Sequence, residues 1–179
     1  MKAAECAINR VDGEIIYASK EDIVTGAGSK IAGARWNPPR SFRTVYSSLD
    51  VETAVAEALA HFRDYGFPIS NAMPRVIVGL EAKLQRVLDL TDGSVRRLLG
   101  VATRRMLHQR WREKQKEGRE ALTQAIGRLA YEANLEGILV PSAARSGGMN
   151  VILFPANFDP PRSWLRIINK DDLPGPLLC

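Results

Sequence analysis

Four side chains of types that carry chemistry stand out in the sequence: Arg35, Tyr46, Glu57 and Ser142. An arginine guanidinium binds phosphate through two parallel hydrogen bonds, and an aromatic ring stacks on flat cationic groups. A carboxylate stabilises positive charge that develops in a transition state, and a hydroxyl hydrogen-bonds a ligand and fixes its orientation.

Taken singly, each of these residues has a simpler structural explanation. Glu57 lies roughly 130° from the centre of the apolar face of its helix, where a solvated glutamate is the default. Tyr46 ends a predicted strand, as half-buried packing residues do, and Ser142 follows a proline, as turn residues do. The loop 35–37 places a guanidinium, an indole and an amide side by side, but loop arginines beside aromatic residues are common.

The order and spacing of these residues form a more specific pattern. The segments that carry it are Gly-Ala-Arg-Trp-Asn-Pro (33–38), Val-Tyr-Ser-Ser (45–48), Thr-Ala-Val-Ala-Glu (53–57) and Val-Pro-Ser-Ala (140–143). The pattern resembles the RES domain family, which is named for its Arg, Glu and Ser. Ala34 replaces the second glycine of the family's Arg-Trp loop, and an Asn-hydrophobic strand follows at 150–154. The resemblance spans residues 26–155, most of the chain.

The resemblance implies both a fold and an activity. The fold is related to the diphtheria-toxin-like ADP-ribosyltransferases. The implied activity is cleavage of the nicotinamide–ribose bond of NAD, by hydrolysis or phosphorolysis. On this view NAD is the substrate, no cofactor or metal is needed, and the chain is the toxin of a toxin–antitoxin pair with a cognate Xre-type antitoxin.

The resemblance also assigns roles to individual residues. Arg35 would bind the pyrophosphate of NAD, and Tyr46 would stack on the nicotinamide ring. Glu57 would stabilise the oxocarbenium-like transition state and hold the ribose 2′-hydroxyl, while Ser142 would hydrogen-bond the ribose or the carboxamide. Further substrate-binding candidates, able to orient Arg35 or to contact NAD, are Trp36, Asn37 and Asn150.

The spacing of hydrophobic residues predicts the helices and strands that carry these side chains. Apolar residues at three- and four-residue spacing predict a helix from an N-cap at Ser48 to about Phe62. Runs of β-branched and aliphatic residues predict buried strands at 137–141 and 150–154. The Gly/Ser-rich stretch 25–29 predicts a loop, and a long basic helix is predicted from Ser94 to about Lys116.

Helices and strands are intermixed without regular β-α alternation. The predicted class is therefore α+β, with a mostly antiparallel sheet core and flanking helices. One domain is expected over residues 1–170, including a basic helical segment at 94–118, followed by a loose tail at 171–179.

Composition excludes several classes of protein. The chain has 179 residues, 45% hydrophobic and 25% charged, as expected of one soluble domain. No apolar run reaches the roughly 18–20 residues that a membrane span needs. Cys6 and Cys179 have no CxxC spacing and there are two histidines, so neither a disulfide framework nor a metal site is expected. We therefore expect a cytoplasmic protein that neither spans a membrane nor binds a metal.

The positive charge is concentrated in one segment. Residues 96–119 carry nine lysines and arginines against two glutamates, whereas the whole chain has a net charge of +5. The segment is interpreted either as an exposed helix packed on the body by its apolar side, or as a surface for an acidic partner such as the antitoxin or a protein target. A nucleic-acid-binding module is a third interpretation, but stacking aromatics and known motifs are missing, so no nucleic acid is expected.

Two further functions remain open at this point. Mono-ADP-ribosylation of a protein would use the same bond cleavage with a different acceptor, which the sequence does not identify. A catalytically inactive partner-binding protein is disfavoured, because all four family residues are present.

Overall fold

The structure, a computed structural model, describes residues 2–6, 9–11, 14–16, 20–64, 66, 68, 70 and 76–173. The strands of these residues are β1 (Lys2–Cys6), β2 (Asn9–Val11), β3 (Glu14–Ile16), β4 (Val45–Ser48), β5 (Ile77–Lys83), β6 (Val87–Asp89), β7 (Gly137–Pro141), β8 (Met149–Leu153) and β9 (Trp164–Ile167). The helices are α1 (Lys20–Thr25), α2 (Ala27–Ala32), α3 (Val51–Asp64), α4 (Gly93–Leu98), α5 (Thr103–Leu107), α6 (Trp111–Lys116) and α7 (Leu122–Glu132).

Seven of the strands form one sheet, in the order β6-β7-β8-β4-β1-β5-β9, and β2 and β3 form a separate hairpin. Only β6 and β7 run parallel within the described sheet, and every other neighbouring pair is antiparallel. The predicted α+β class with a mostly antiparallel sheet is confirmed.

The sheet buries apolar side chains on both faces, because successive residues of a strand point to opposite sides. On β8, Ile152 packs in a cluster with Trp36, Ile138 and Phe154, whereas Val151 packs in a second cluster on the other face. Both clusters are covered, so the strands at the centre read as continuous apolar runs.

The strand register places several polar residues next to one another at one end of the sheet. Asn150 of β8 lies between Ser48 of β4 on one side and Val140 of β7 on the other. Ser142 follows the end of β7 and therefore lies at the same end of the sheet. Helix α3 packs against β1, β4 and β8 and so covers this region.

Helix α3 begins two residues later than predicted, and its cap is Asp50 rather than Ser48. The Thr53 amide donates a hydrogen bond of 2.7 Å to Asp50 Oδ1, and the Thr53 hydroxyl donates one of 2.8 Å to Asp50 Oδ2. Both bonds favour the ionised carboxylate and lower the pKa of Asp50. Ser48 instead belongs to β4, where its hydroxyl contacts Asn150.

Two predictions of local structure are wrong. The stretch 25–29 is not a loop, because α1 ends at Thr25, Gly26 adopts a left-handed conformation (φ 65°) and α2 starts at once. The predicted single basic helix is three short helices, α4 to α6. Gly100, with a φ of 65°, separates the first two, and Arg110 is not helical and separates the last two.

The basic segment packs on the body through only part of its apolar side. Met106 and Trp111 are buried, as predicted, whereas Leu98 is 87% exposed. At the other end of the chain, Leu173, within the predicted tail at 171–179, is partly buried and packs on the core. Residues 174–179 lie outside the described part. Within the described residues, no helix has the length and apolar character to cross a membrane.

Candidate active site

Glu57 is the centre of a hydrogen-bond network between α3 and the sheet edge. Its Oε1 accepts a bond of 2.7 Å from the Ser142 hydroxyl and one of 2.6 Å from the Asn150 amide. The Ser48 hydroxyl donates to Asn150 Oδ1 at 2.7 Å, which turns the amide nitrogen toward Glu57. Among the residues that the structure describes, none donates a hydrogen bond to Glu57 Oε2. That oxygen is therefore available to a ligand.

Ser142 combines the turn role and the site role that its sequence position left open. Its Oγ accepts hydrogen bonds from the amides of Ala144 (3.1 Å) and Arg145 (3.0 Å), as in a serine turn. Because both acceptor positions of the hydroxyl are engaged, its single proton points to Glu57. The turn thus orients the hydroxyl toward the carboxylate.

The loop after Ser142 is tied to the start of α3. The Arg145 guanidinium donates to the Thr53 hydroxyl at 3.1 Å and lies 3.4 Å from Asp50. Gly148 lies so close to Thr53 that a Cβ at this position would overlap the threonine side chain. This clamp fixes the spacing between the loop and the helix that carries Glu57. Sequence reasoning missed Arg145 altogether, and only the Asp-x-x-Thr spacing signalled the cap at Asp50.

Arg35 lies on the loop between α2 and β4, half-buried against the basic segment. Its Nη1 donates hydrogen bonds to the carbonyl oxygens of Met106 (3.3 Å) and Leu107 (3.2 Å). Burial lowers the pKa of Arg35, and the negative charge of Glu57 opposes that shift. The guanidinium stays charged. Arg35 and Glu57 are therefore close enough to interact electrostatically across the site.

Tyr46 holds the Arg35 loop from the sheet. Its hydroxyl accepts a 2.9 Å hydrogen bond from the Trp36 amide and donates one of 2.8 Å to Asn37 Oδ1. The Asn37 amide in turn donates to the Ser29 carbonyl at 2.8 Å. Burial raises the pKa of Tyr46 far above its ordinary value, so the phenol remains a donor at ordinary pH.

The structure brings Arg35, Tyr46, Glu57, Ser142 and Asn150 to one region. Trp36 and Asn37 are placed differently, since Trp36 is 3% exposed within the core and Asn37 is fully buried. Their observed contacts support the Arg35 loop, and their contact with substrate stays a prediction. Histidines, cysteines and carboxylates of the described residues form no group of three or more that could hold a metal ion.

A cavity lies on the basic segment, and its lining residues flank Met106 and Leu107 in the sequence. Its volume is about 460 Å³, and its lining residues are Ala102, Arg104, Arg105, His108 and Gln109. Two arginines in this lining give the cavity a positive potential, which attracts anions.

Replacement of Tyr46 by phenylalanine is expected to lower the free energy of unfolding by about 1–3 kcal/mol, because the Trp36 amide and Asn37 Oδ1 would lose their partner while buried. Urea unfolding of both proteins measures the difference. The same substitution is also measured in an Asn37→Ala background, because Asn37 Oδ1 accepts the hydrogen bond of the Tyr46 hydroxyl. If the hydroxyl acts through Asn37, the two costs are not additive. An unchanged stability of Tyr46→Phe would contradict the proposed support of the loop.

The RES domain family matches residues 8–172. The chain is 34% identical over 127 residues to the probable NAD(+) phosphorylase Rv3189 of Mycobacterium tuberculosis, covering 68% of this chain and 54% of the relative. It is 23% identical over 134 residues to the NAD(+) phosphorylase MbcT of Mycobacterium bovis, covering 74% and 66%. The chain thus spans between about half and two thirds of the length of these curated relatives.

A solved structure shows the same fold. The crystal structure of the M. tuberculosis MbcT–MbcA toxin–antitoxin complex contains a chain that matches this one with a TM-score of 0.63. The match is 19% identical in sequence and covers 92% of this chain and 84% of the other.

Proposed function

Since the chain belongs to the RES domain family, we propose that it is the toxin of a toxin–antitoxin pair and cleaves the nicotinamide–ribose bond of NAD. The observation that carries this proposal is the assembly of four motifs into one site. Glu57 accepts hydrogen bonds from Ser142 and Asn150 through Oε1 and interacts electrostatically with the charged Arg35. The names of the relatives Rv3189 and MbcT support NAD as the substrate.

The proposed chemistry centres on the Glu57 carboxylate. The bond from ribose C1′ to the nicotinamide nitrogen breaks, its electron pair leaves with nicotinamide, and positive charge develops on the ribose. A carboxylate beside the ring stabilises that charge, and Glu57 Oε2 can accept a hydrogen bond from the 2′-hydroxyl. Because Ser142 and Asn150 fix the other oxygen, the charge is placed before the reaction starts. A group placed in this way lowers the activation barrier by about 3 kcal/mol.

Arg35 and Tyr46 would hold the other parts of NAD. The guanidinium offers its remaining donors to the pyrophosphate. The Tyr46 ring is only partly buried and would stack on the nicotinamide, while its hydroxyl keeps the loop in place. Asn150 would contact the ribose or the carboxamide, and Trp36 and Asn37 would shape the loop beside the ligand.

The acceptor is proposed to be inorganic phosphate, as the names of both relatives suggest. A phosphate oxygen forms the new bond to C1′ and the acceptor loses one proton to solvent. Water would give ADP-ribose by the same path. No cofactor enters either reaction.

The partner of the chain is proposed to be an antitoxin of the Xre type, and the site of action the cytoplasm, where NAD is available. The supporting observation is that the structural relative MbcT was solved together with the antitoxin MbcA.

The experiment that tests the function incubates purified protein with NAD in plain buffer, in phosphate buffer and with host lysate, and separates the products by chromatography. We expect nicotinamide release in phosphate buffer together with a phosphorylated ADP-ribose. ADP-ribose as the co-product would show that the acceptor is water rather than phosphate. Labelled protein would indicate ADP-ribosyl transfer to a protein. Intact NAD under all three conditions would refute the proposed function.

A further inference from the structure

The basic segment contacts Arg35 of the candidate site. Arg35 donates both of its hydrogen bonds to carbonyl oxygens at the end of α5, and α6 starts a few residues later. The second residue of α6 is Arg112, whose side chain is 22% exposed, whereas the neighbouring Arg110 side chain is 80% exposed. Arg112 is thus turned toward the body of the protein.

The Arg112 guanidinium contacts a carboxylate and an indole ring. Its Nη1 lies 2.5 Å from Asp64 Oδ2, and its central carbon lies 4.4 Å from the centre of the Trp111 ring. An arginine stacked on an indole has a restricted orientation, so less freedom is lost when it binds an anion. Arg112 is therefore prepared for a planar, bidentate contact.

Asp64 shows where Arg112 lies relative to the catalytic carboxylate. Asp64 and Glu57 are seven residues apart on α3, which is two turns, so both point from the same face and lie about 10 Å apart along the axis. The charge of Arg112 is also one of the causes that lower the pKa of Arg35, which places the two guanidiniums within electrostatic reach of each other.

We propose that Arg112 is a second phosphate-binding residue, and that Arg35 and Arg112 together form an anion site on the α3 face that carries Glu57. The inference rests on the proposed function and adds a residue from the basic segment to it. Two guanidiniums that repel each other are stabilised by an anion bound between them. In NAD a single ribose separates the pyrophosphate from the bond that breaks, which suits an anion site along α3 from Glu57. The same chemistry would bind inorganic phosphate as the acceptor.

The test compares Arg112→Gln and Arg112→Lys with the wild-type enzyme in steady-state kinetics. For Arg112→Gln we expect KM for the anion to rise about 10- to 100-fold with a much smaller change in kcat, because one charge-assisted bidentate contact is lost. Arg112→Lys keeps the positive charge but lacks the planar guanidinium that makes two parallel hydrogen bonds. Its KM is therefore expected to lie between those of the wild-type enzyme and Arg112→Gln. A raised KM for NAD identifies the pyrophosphate, and a raised KM for phosphate identifies the acceptor. Unchanged values for both would overturn the inference.

Two control variants separate binding from a structural role. Asp64→Asn removes the ion-pair partner but keeps the Arg112 guanidinium, so KM is expected to stay the same or fall. Arg110→Gln, on the exposed neighbour, is expected to leave KM unchanged. If Asp64→Asn raised KM as much as Arg112→Gln, the pair would be structural and the inference wrong.

Calorimetric titration of ADP gives a second readout, with weaker binding expected only for the Arg112 variants. Wild-type protein that left NAD intact would refute the proposed function itself, whereas an active enzyme insensitive to Arg112→Gln would refute only this inference.

Discussion

Replacement of Glu57 by glutamine is expected to lower the turnover of NAD about 100- to 1000-fold while the protein remains folded. Glutamine keeps a carbonyl oxygen that can accept the bonds from Ser142 and Asn150, so the network can persist. The substitution removes the negative charge that stabilises the oxocarbenium-like transition state. Because the charge acts mainly in the transition state, kcat falls far more than the affinity for NAD.

Nicotinamide release under saturating NAD measures this effect, and thermal unfolding checks the fold. Glu21→Gln, on the exposed side of α1, is a matched control that removes a carboxylate outside the site. We expect it to leave turnover unchanged. A Glu57→Gln enzyme that retained more than about a tenth of wild-type turnover would show that this carboxylate does not carry the chemistry, because such a loss is below 1.4 kcal/mol.

Replacement of Gly127 by alanine is expected to lower the free energy of unfolding by about 3 kcal/mol. Gly127 is buried in α7, and the carbonyl oxygen of Trp36 occupies the space that a Cβ would need. Alanine is the better helix former by about 1 kcal/mol, but the overlap involves backbone atoms and cannot be relieved by a rotamer change. The Arg35 loop would have to move, so kcat/KM for NAD is expected to fall as well.

Urea unfolding and NAD kinetics measure the two effects on one sample. Gly28→Ala is the matched control, because Gly28 lies in α2 and a Cβ there would meet no atom within 4 Å. It is expected to raise stability by up to about 1 kcal/mol. Equal stability of the Gly127 and Gly28 variants would contradict the close approach of α7 to the Arg35 loop.

The sequence predicted the parts of the fold whose periodicity is strong. Strands β7 and β8 lie within one residue of the predicted ranges, because aliphatic runs ended by proline permit few alternatives. The helix carrying Glu57 was found from its apolar spacing, but its cap was misplaced because Ser48 and Asp50 both suit that position. Local composition failed where glycines separate short helices, as at Gly26 and Gly100.

The residues of the site could be predicted from the sequence, but the hydrogen bonds and ion pairs between them could not. Motif order selected Glu57 and Ser142, yet the hydrogen bond between them joins residues 85 positions apart, which no local pattern encodes. The same holds for Arg145 and Arg112, whose roles depend on contacts with distant parts of α3. The low exposure of Arg112, whose side chain is 22% exposed, is likewise set by tertiary packing.

The most direct test of the account is a crystal structure of the Glu57→Gln protein with NAD. We propose that one cleft binds NAD with the nicotinamide ribose at residue 57 and the pyrophosphate at Arg35. We predict ribose hydroxyl density within hydrogen-bond distance of the residue 57 side chain and phosphate oxygens on the Arg35 guanidinium. NAD bound elsewhere, or bound with its nicotinamide ribose away from residue 57, would contradict the account.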